Sequence, residues 1–279
     1  VVRVILFLLL GFAVAYYWGR PLPIDKREEY YPCTVYYRKV HLLPRPFIAH
    51  ILTVDLTCSN VDFLVTPPDR KKGEDPLNAR TTSQFADQYE QDIAINGDAF
   101  APWWSENLFN YFPHANDHVN TIGLSASRGA VYGGRDGLPV YISQSNDVTF
   151  LIPKGAVYNA ISGRGWLLKN NAVVEDLNDQ YIAPRTSLGL DSSGEKLILV
   201  IVDGRQPLYS QGVTIKEMAS IMQEYGGQDA INLDGGGSTT MVIRDPKTGK
   251  LMVMNSPIDR YIPGQQRYIA NHLGITINK

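Results

Sequence analysis

Apolar positions along this chain come mostly in short blocks separated by polar and glycine-rich turns. Runs at 34–39, 48–57, 93–96, 121–126, 149–152, 187–191, 196–202, 230–233, 239–243, 251–254 and 274–277 have strand length and are bounded by turn residues. Residues 196–202 are almost wholly apolar, as in a strand covered on both faces. Helical periodicity is confined to two places. Thr214-Ile215-Lys216-Glu217 is a capping box, in which the Thr hydroxyl accepts from the Glu217 N–H and the Glu side chain returns to the Thr N–H. Val213 and Met218 are placed for a hydrophobic staple, Met218, Met222 and Tyr225 continue one apolar stripe, and Gly226-Gly227 stops it. A second helix opens at Thr81 or Thr82 and carries Phe85, Ala86 and Tyr89 on one face. Strands outnumber helices and many of their links are short. The pattern therefore predicts an α+β fold of mixed, mostly antiparallel β-sheets with a few packed helices.

One block breaks the pattern. Residues 4–18 are continuously apolar, with Arg3 before them and Arg20, Lys26 and Arg27 after. Residues 1–20 read as a signal peptide or a signal-anchor. Ala13-Val14-Ala15 offers a cleavage pattern, whereas Tyr16, Tyr17 and Trp18 resemble interfacial aromatics and favour an anchor in the membrane. Both readings export the remainder, either secreted or held at the extracytoplasmic face. Residues 21–30 read as a polar stalk and 31–279 as a single catalytic domain, with no second linker and no repeat. Cys33 and Cys58 flank the runs 34–39 and 48–57. Pairing these symmetrically about Pro44-Arg45-Pro46 sets the two cysteines opposite each other, which predicts a cross-strand disulfide; two free buried thiols are the alternative.

Composition narrows the function classes. With 44% hydrophobic and 19% charged residues the chain can bury a substantial core. A net charge of -2 without a large basic block gives no sign of binding to nucleic acid by counterion release, and no nucleic-acid partner is expected.

The segment most suggestive of chemistry is Asn232-Leu233-Asp234-Gly235-Gly236-Gly237-Ser238-Thr239-Thr240. It follows one strand-like run and precedes another, so it reads partly as a hairpin turn. A two-residue hairpin needs at most two special residues, and three successive glycines are entropically costly. Their bare N–H groups could form a nest for an anion, with Asp234 at its mouth and the Ser238 and Thr239 hydroxyls beyond. Other strand ends share this grammar: Asn96-Gly97-Asp98 after 93–95, Asp203-Gly204-Arg205 after 198–202, and Arg185-Thr186 before 187–190. Polar residues converging from several strand ends are a common way to build a site on a rigid scaffold.

Taken in order, Arg185-Thr186-Ser187-Leu188-Gly189, Val202-Asp203-Gly204-Arg205, the capped helix and the Asn232–Val242 block resemble the phosphodiester glycosidase family. Further similarities are Thr82-Ser83-Gln84-Phe85-Ala86, Ile95-Asn96-Gly97, Ile161-Ser162-Gly163 and Arg267-Tyr268-Ile269-Ala270-Asn271-His272-Leu273-Gly274. The resemblance implies hydrolysis of a sugar-1-phosphodiester between the anomeric carbon and the phosphate oxygen. In that chemistry Asp234, Asp98 and Asp203 are the candidate catalytic carboxylates. Arg185 and Arg205 are candidate phosphate clamps, joined by Asn96, Gly97, Thr186, Asn232, Gly235, Gly236, Gly237, Ser238, Arg267 and Asn271 around the substrate. The expected partner is a carbohydrate phosphodiester in exopolysaccharide or another cell-envelope polymer. Cleavage of the P–O bond, or glycan binding without turnover, are the competing readings. Where many relatives have Gly-Phe-Phe this chain has Gly97-Asp98-Ala99-Phe100. It also carries an aromatic segment, Pro102-Trp103-Trp104-Ser105-Glu106 to Tyr111-Phe112-Pro113-His114, expected as a wall or lid whose tryptophans stack on sugar or pack beneath the loop. His114, Asp117 and His118 have ligand-like spacing, but Pro113 and nearby Asn residues favour a loop. No metal and no cofactor are expected; a structural calcium ion would leave no readable motif.

Overall fold

A computed structural model describes Ile5, Gly11 and residues 19–70 and 75–278. The leader or anchor expected at 1–20 therefore falls almost wholly outside the described residues. No helix among the described residues is long and apolar enough to cross a membrane.

The larger sheet has eight strands, in the order Lys26–Glu28, Thr34–His41, Phe47–Asp55, Lys196–Val202, Arg185–Leu190, Asp229–Asn232, Gly165–Lys169 and Ala172–Val173. A five-stranded sheet runs Leu251–Val253, Met241–Arg244, Ile93–Asn96, His272–Ile277 and Val61–Val65. Every pairing within both sheets is antiparallel. Side chains alternate across each strand, and both faces of both sheets are used. In Lys196–Val202, Leu197, Leu199 and Ile201 enter the core between the sheets, where they join Phe63, Ile95 and Ile275. Ile198, Val200 and Val202 face the other way, toward Met218 and Met222 of the helix Ile215–Glu224. On the far side of the five-stranded sheet, Phe85 and Ala86 of the helix Thr82–Gln88 pack on Leu64, Ala94 and Val242. The described chain is thus mostly β-sheet with two α-helices, layered helix, sheet, sheet, helix. A second five-stranded sheet, residues 124–163, closes one side of the inter-sheet core with Val140, Ile142 and Ile161.

Both helix starts are capping boxes, Thr214 with Glu217 and Thr81 with Gln84, and Tyr225-Gly226 ends the longer helix with Gly226 at φ 90°. Three expectations are revised. The stretch read as a stalk is partly built into the sheet: Lys26–Glu28 pairs with residues 36–38. The run 121–126 is split, because the chain bends at Gly123, where a Cβ would strike Ser162 and Asp98. His118–Thr121 and Leu124–Ser127 consequently join different sheets. In the run 149–152 only Val148–Thr149 pairs, and Leu151 and Ile152 are exposed.

The Cys33–Cys58 disulfide is present, with 6.4 Å between the Cα atoms. Its geometry differs from the symmetric pairing. Thr34 lies opposite Val54, so Cys33 is level with Asp55, whose N–H donates to its carbonyl. Cys58 returns through the turn after Asp55 to meet Cys33, which adopts φ 65°.

Candidate active site

The glycine-rich segment is not a hairpin. Asp229–Asn232 pairs with Arg185–Leu190 in the larger sheet, whereas Met241–Arg244 pairs with Ile93–Asn96 in the smaller one. Residues 233–240 carry the chain across from one sheet to the other, with a single 3-10 turn at Gly236–Ser238. Asp234 sits on this crossing.

The crossing is pinned from both sides. Asn96 is fully buried; its Nδ2 donates to the Asp234 carbonyl (2.7 Å), and its Oδ1 accepts from Thr186 Oγ1 (2.8 Å) and Thr240 N (3.1 Å). The Asp234 N–H donates to Gly97 O and the Leu233 N–H to Thr186 O. Gly97 N donates to Asn271 O, and Asn271 Oδ1 accepts from Asp98 N (2.8 Å). No side chain fits at Gly97, because a Cβ would overlap Asn271 and Ile161. Asn96, Gly97, Thr186 and Asn271 are therefore supports beneath the site and lie outside the wall of its main cavity.

That cavity, about 390 Å³, is lined by Asn232, Asp234, Gly235, Gly236 and the guanidinium side chains of Arg164, Arg185, Arg205, Arg260 and Arg267, with Trp103, Tyr181 and Tyr261 also on its walls. A second cavity, about 300 Å³, shares Trp103, Arg164, Asp234 and Arg267 with it and continues to Phe100 and Ile122. Asp234 is the only carboxylate lining either space among the described residues. Asp259 binds Arg267 (2.7 Å) and Arg260 (3.3 Å), so these two cations are compensated. Arg164, Arg185 and Arg205 have no carboxylate ion-pair partner among the described residues. Arg185 is steered by the carbonyls of Tyr181 (2.7 Å) and Val213 (3.3 Å), and burial pushes its pKa down from the usual guanidinium value. The result is an electropositive pocket holding one carboxylate, suited to an anionic ligand.

Burial pushes Asp234 upward from the usual carboxylate pKa, against the Ser238 hydroxyl and the charges of Arg267 and Arg164, which pull it down. Asp98 lies just behind, 2% exposed. Burial raises its pKa to about 7, the Gly123 and Ala99 N–H groups oppose the rise, and the negative charge of Asp234 adds to it. Gly123 N approaches its Oδ2 to 2.7 Å. Burial thus pushes both carboxyls in the same direction, and near neutral pH Asp98 keeps a substantial share of its protons.

Not every expected residue reaches the cavity. Asp203 is 1% exposed and committed: Oδ1 accepts from Ser256 N (2.7 Å) and Asn255 Nδ2 (3.0 Å), and Oδ2 meets His50 Nε2 (3.2 Å). It ties the loop carrying Arg205 to residues 255–256, and does not line the cavity. The glycine amides are also largely occupied. Gly236 N–H donates to Pro184 O (2.9 Å), and Gly235 N–H to the carboxylate of Asp234. Gly237 serves a different purpose, since a Cβ there would collide with the Arg267–Asp259 pair. Ser238 Oγ accepts from Arg267 Nη1 (3.3 Å). Asn232 does line the cavity, and its Oδ1 is a buried acceptor without a partner.

Arg164 and Arg260 were missed in the sequence. Arg164 stands between Gly163 and Gly165, one residue past the family-like Ile161-Ser162-Gly163, and that glycine-flanked cation at a strand start was the available signal. Arg260 had no such signal. Its guanidinium lies 3.5 Å from the Tyr111 ring centroid and donates to Leu108 O (2.9 Å). This fastens the aromatic segment, folded as the small hairpin Trp104–Ser105 with Tyr111–Phe112, beside the cavity. Trp103 faces the cavity beneath Arg267, whereas Trp104 stacks on Phe112. His114 and Asp117 hydrogen-bond each other in an exposed turn, and His118 opens the next strand.

Comparison with known proteins agrees with this architecture. The catalytic domain of zebrafish N-acetylglucosamine-1-phosphodiester alpha-N-acetylglucosaminidase, solved auto-inhibited by its pro-peptide, has the same fold, with a TM-score of 0.63 at 21% identity over 91% of this chain and 87% of that one. The SPbeta prophage-derived protein YomE of Bacillus subtilis is 32% identical over 60% of this chain and 26% of its own length. The Bos taurus N-acetylglucosamine-1-phosphodiester alpha-N-acetylglucosaminidase is 30% identical over 54% of this chain and 31% of its own. The chain thus spans about a quarter to a third of the length of these two relatives. The phosphodiester glycosidase family model matches residues 89–276, two thirds of the chain and the whole of the Asp234 site, and the chain belongs to that family.

Proposed function

We propose that this chain is an exported hydrolase that cleaves a sugar-1-phosphodiester between the anomeric carbon and the phosphate oxygen, in a glycan or cell-envelope polymer. The observation that carries the reading is one cavity in which the Asp234 carboxylate faces Arg164, Arg185 and Arg205, three cations without an acidic partner among the described residues. A phosphodiester is an anion, and guanidinium forks fit its non-bridging oxygens. As the bond from the anomeric carbon to oxygen breaks, its electron pair goes to the phosphate, whose charge the arginines already hold. The phosphate therefore leaves as a stable anion without a strong general acid. Positive charge develops on the sugar opposite Asp234, which stabilises it and takes a proton from the water that adds to the anomeric carbon. The disulfide supports export, since such bonds persist in oxidising compartments.

The test is a panel of sugar-1-phosphodiesters, reading free sugar. Asp234→Asn is expected to keep its circular dichroism spectrum and lose at least about a thousandfold in kcat/KM. Full turnover by this variant would remove Asp234 from the reaction. In oxygen-18 water the label is expected in the sugar. Label in the phosphate would establish P–O cleavage instead, and tight binding with no product over long incubation would establish a glycan-binding module.

A further inference from the structure

The rim of the cavity is as distinctive as its interior. Large apolar side chains are exposed around the mouth: Trp103, Tyr181 and Tyr261 on its walls, and Leu108 and Phe109 at the tip of the hairpin that Arg260 fastens alongside. Phe109 is 91% exposed and Tyr261 73%. Ile182, next to Tyr181, is also exposed. Clusters of this kind on a soluble surface mark an interaction site. A protein seated on this rim would close the mouth of the cavity to substrate. An occupant that leaves the reaction possible must enter with the substrate.

Resting on the reading of the site as a phosphodiester glycosidase, we infer that the phosphate of its substrate carries a hydrocarbon chain, so that the substrate is a lipid-linked sugar phosphate. An anionic head attached to an apolar tail matches the order met on entry, an apolar rim outside and uncompensated arginines within. The second cavity, which shares Asp234 with the first and is bordered by Phe100 and Ile122, is left for the sugar.

The path of the chain agrees. Arg20 stands two residues after the end of the apolar run 4–18 and is fixed to the body, its guanidinium 3.4 Å from the Tyr209 ring centroid and donating to Gln206 Oε1 (2.6 Å) and Ser256 Oγ (2.7 Å). Gln206 and Tyr209 belong to the loop that also carries Arg205, on the cavity wall, and exposed Leu208. An apolar segment held in a bilayer would therefore join the body on the loop that walls the cavity, bringing the mouth close to lipid.

The experiment uses the full chain in lipid nanodiscs and a series of alkyl phosphates from methyl to octyl, with affinity measured by calorimetry and by inhibition of turnover. Empty nanodiscs measure partition of each probe. The affinity is expected to rise by about two- to fourfold per methylene over most of the series. In the variant Leu108→Ser/Phe109→Ser, which keeps the backbone carbonyl that Arg260 grips, the octyl-to-methyl affinity ratio is expected to fall by about tenfold or more. A flat series overturns the inference, and so does a rising series whose slope the hairpin variant leaves unchanged. Turnover of a methyl diester with a flat alkyl series overturns this inference alone. Absence of both turnover and alkyl phosphate binding instead overturns the parent reading.

Discussion

Asp98→Asn tests the electrostatics of the site without touching its cavity wall. In the folded protein the Asp98 carboxyl titrates near 7, against 3.8 when unperturbed. Below pH 3 both folded and unfolded chains hold the proton, and the group contributes nothing to the pH dependence of stability. Between about 4 and 7 the unfolded chain releases the proton while the folded chain keeps it. Because the unfolded state then binds fewer protons, stability falls as pH rises, by about 1.4 kcal/mol per pH unit. Above 7 the loss is complete, on the order of 4 kcal/mol from this one group. An asparagine resembles the protonated acid: its Oδ1 can accept the Gly123 N–H, and it carries no charge to desolvate. Urea unfolding of both proteins between pH 4 and pH 8.5 should show the variant gaining about 3–4 kcal/mol on the parent across that interval. Subtracting the two curves cancels most other titrating groups. The same substitution should remove the alkaline limb of kcat/KM near pH 7, where the negative charge forming on Asp98 behind the cavity weakens attraction for the phosphate. Stability curves that run parallel from pH 4 to 8.5 would refute the reasoning, because Asp98 would then have an ordinary pKa in the fold.

The remaining predictions concern the supports. Asn96→Ala leaves the Asp234 carbonyl, the Thr186 hydroxyl and the Thr240 N–H without their buried partner. It should cost about 2–4 kcal/mol in denaturant unfolding and lower kcat by at least about tenfold, and an unchanged kcat would show that the crossing holds its shape without Asn96. Replacing both Cys33 and Cys58 by Ser opens a loop closed over 25 residues and should cost roughly 3–4 kcal/mol, read from urea midpoints of the oxidised parent and the variant.

Much of the scaffold was legible because local signals agree with the tertiary fold. The capping box at Thr214 fixed one helix start, the other fell at Thr81 or Thr82 as expected, and the almost wholly apolar run 196–202 became a central strand between two layers. The failures share one cause: pairing partners distant in sequence. Residues 239–243 read as the strand of a returning hairpin, but their hydrogen-bonding partner is Ile93–Asn96, about 150 positions away along the chain, roughly a full domain length. The cysteine register slipped for a related reason, since turn residues after Asp55 were counted as strand. At the site, type and place were separable. Asp203 and Arg205 share one Asp-Gly-Arg motif, yet the arginine reaches the cavity and the aspartate binds His50, Asn255 and Ser256. Nothing in a one-dimensional pattern tells a carboxylate that serves substrate from one that fastens a loop. Arg164 and Arg260 become visible only once the folded chain surrounds a common space.

The passage of residues 233–240 between the sheets makes Asp234 a gauge of their alignment. Each sheet is braced internally by its own ladder, whereas the two are joined by packed side chains, by the crossing itself and by isolated hydrogen bonds such as Thr186 to Asn96 and Tyr31 to the Arg244 carbonyl. A slip along that interface leaves every ladder intact and still carries Asp234 away from Arg164 and Arg185, whose strands belong to the larger sheet only. Loss of the proposed activity on warming should therefore precede loss of β structure, and substitutions that tighten the apolar packing between the sheets are the ones that would keep the site aligned to higher temperature.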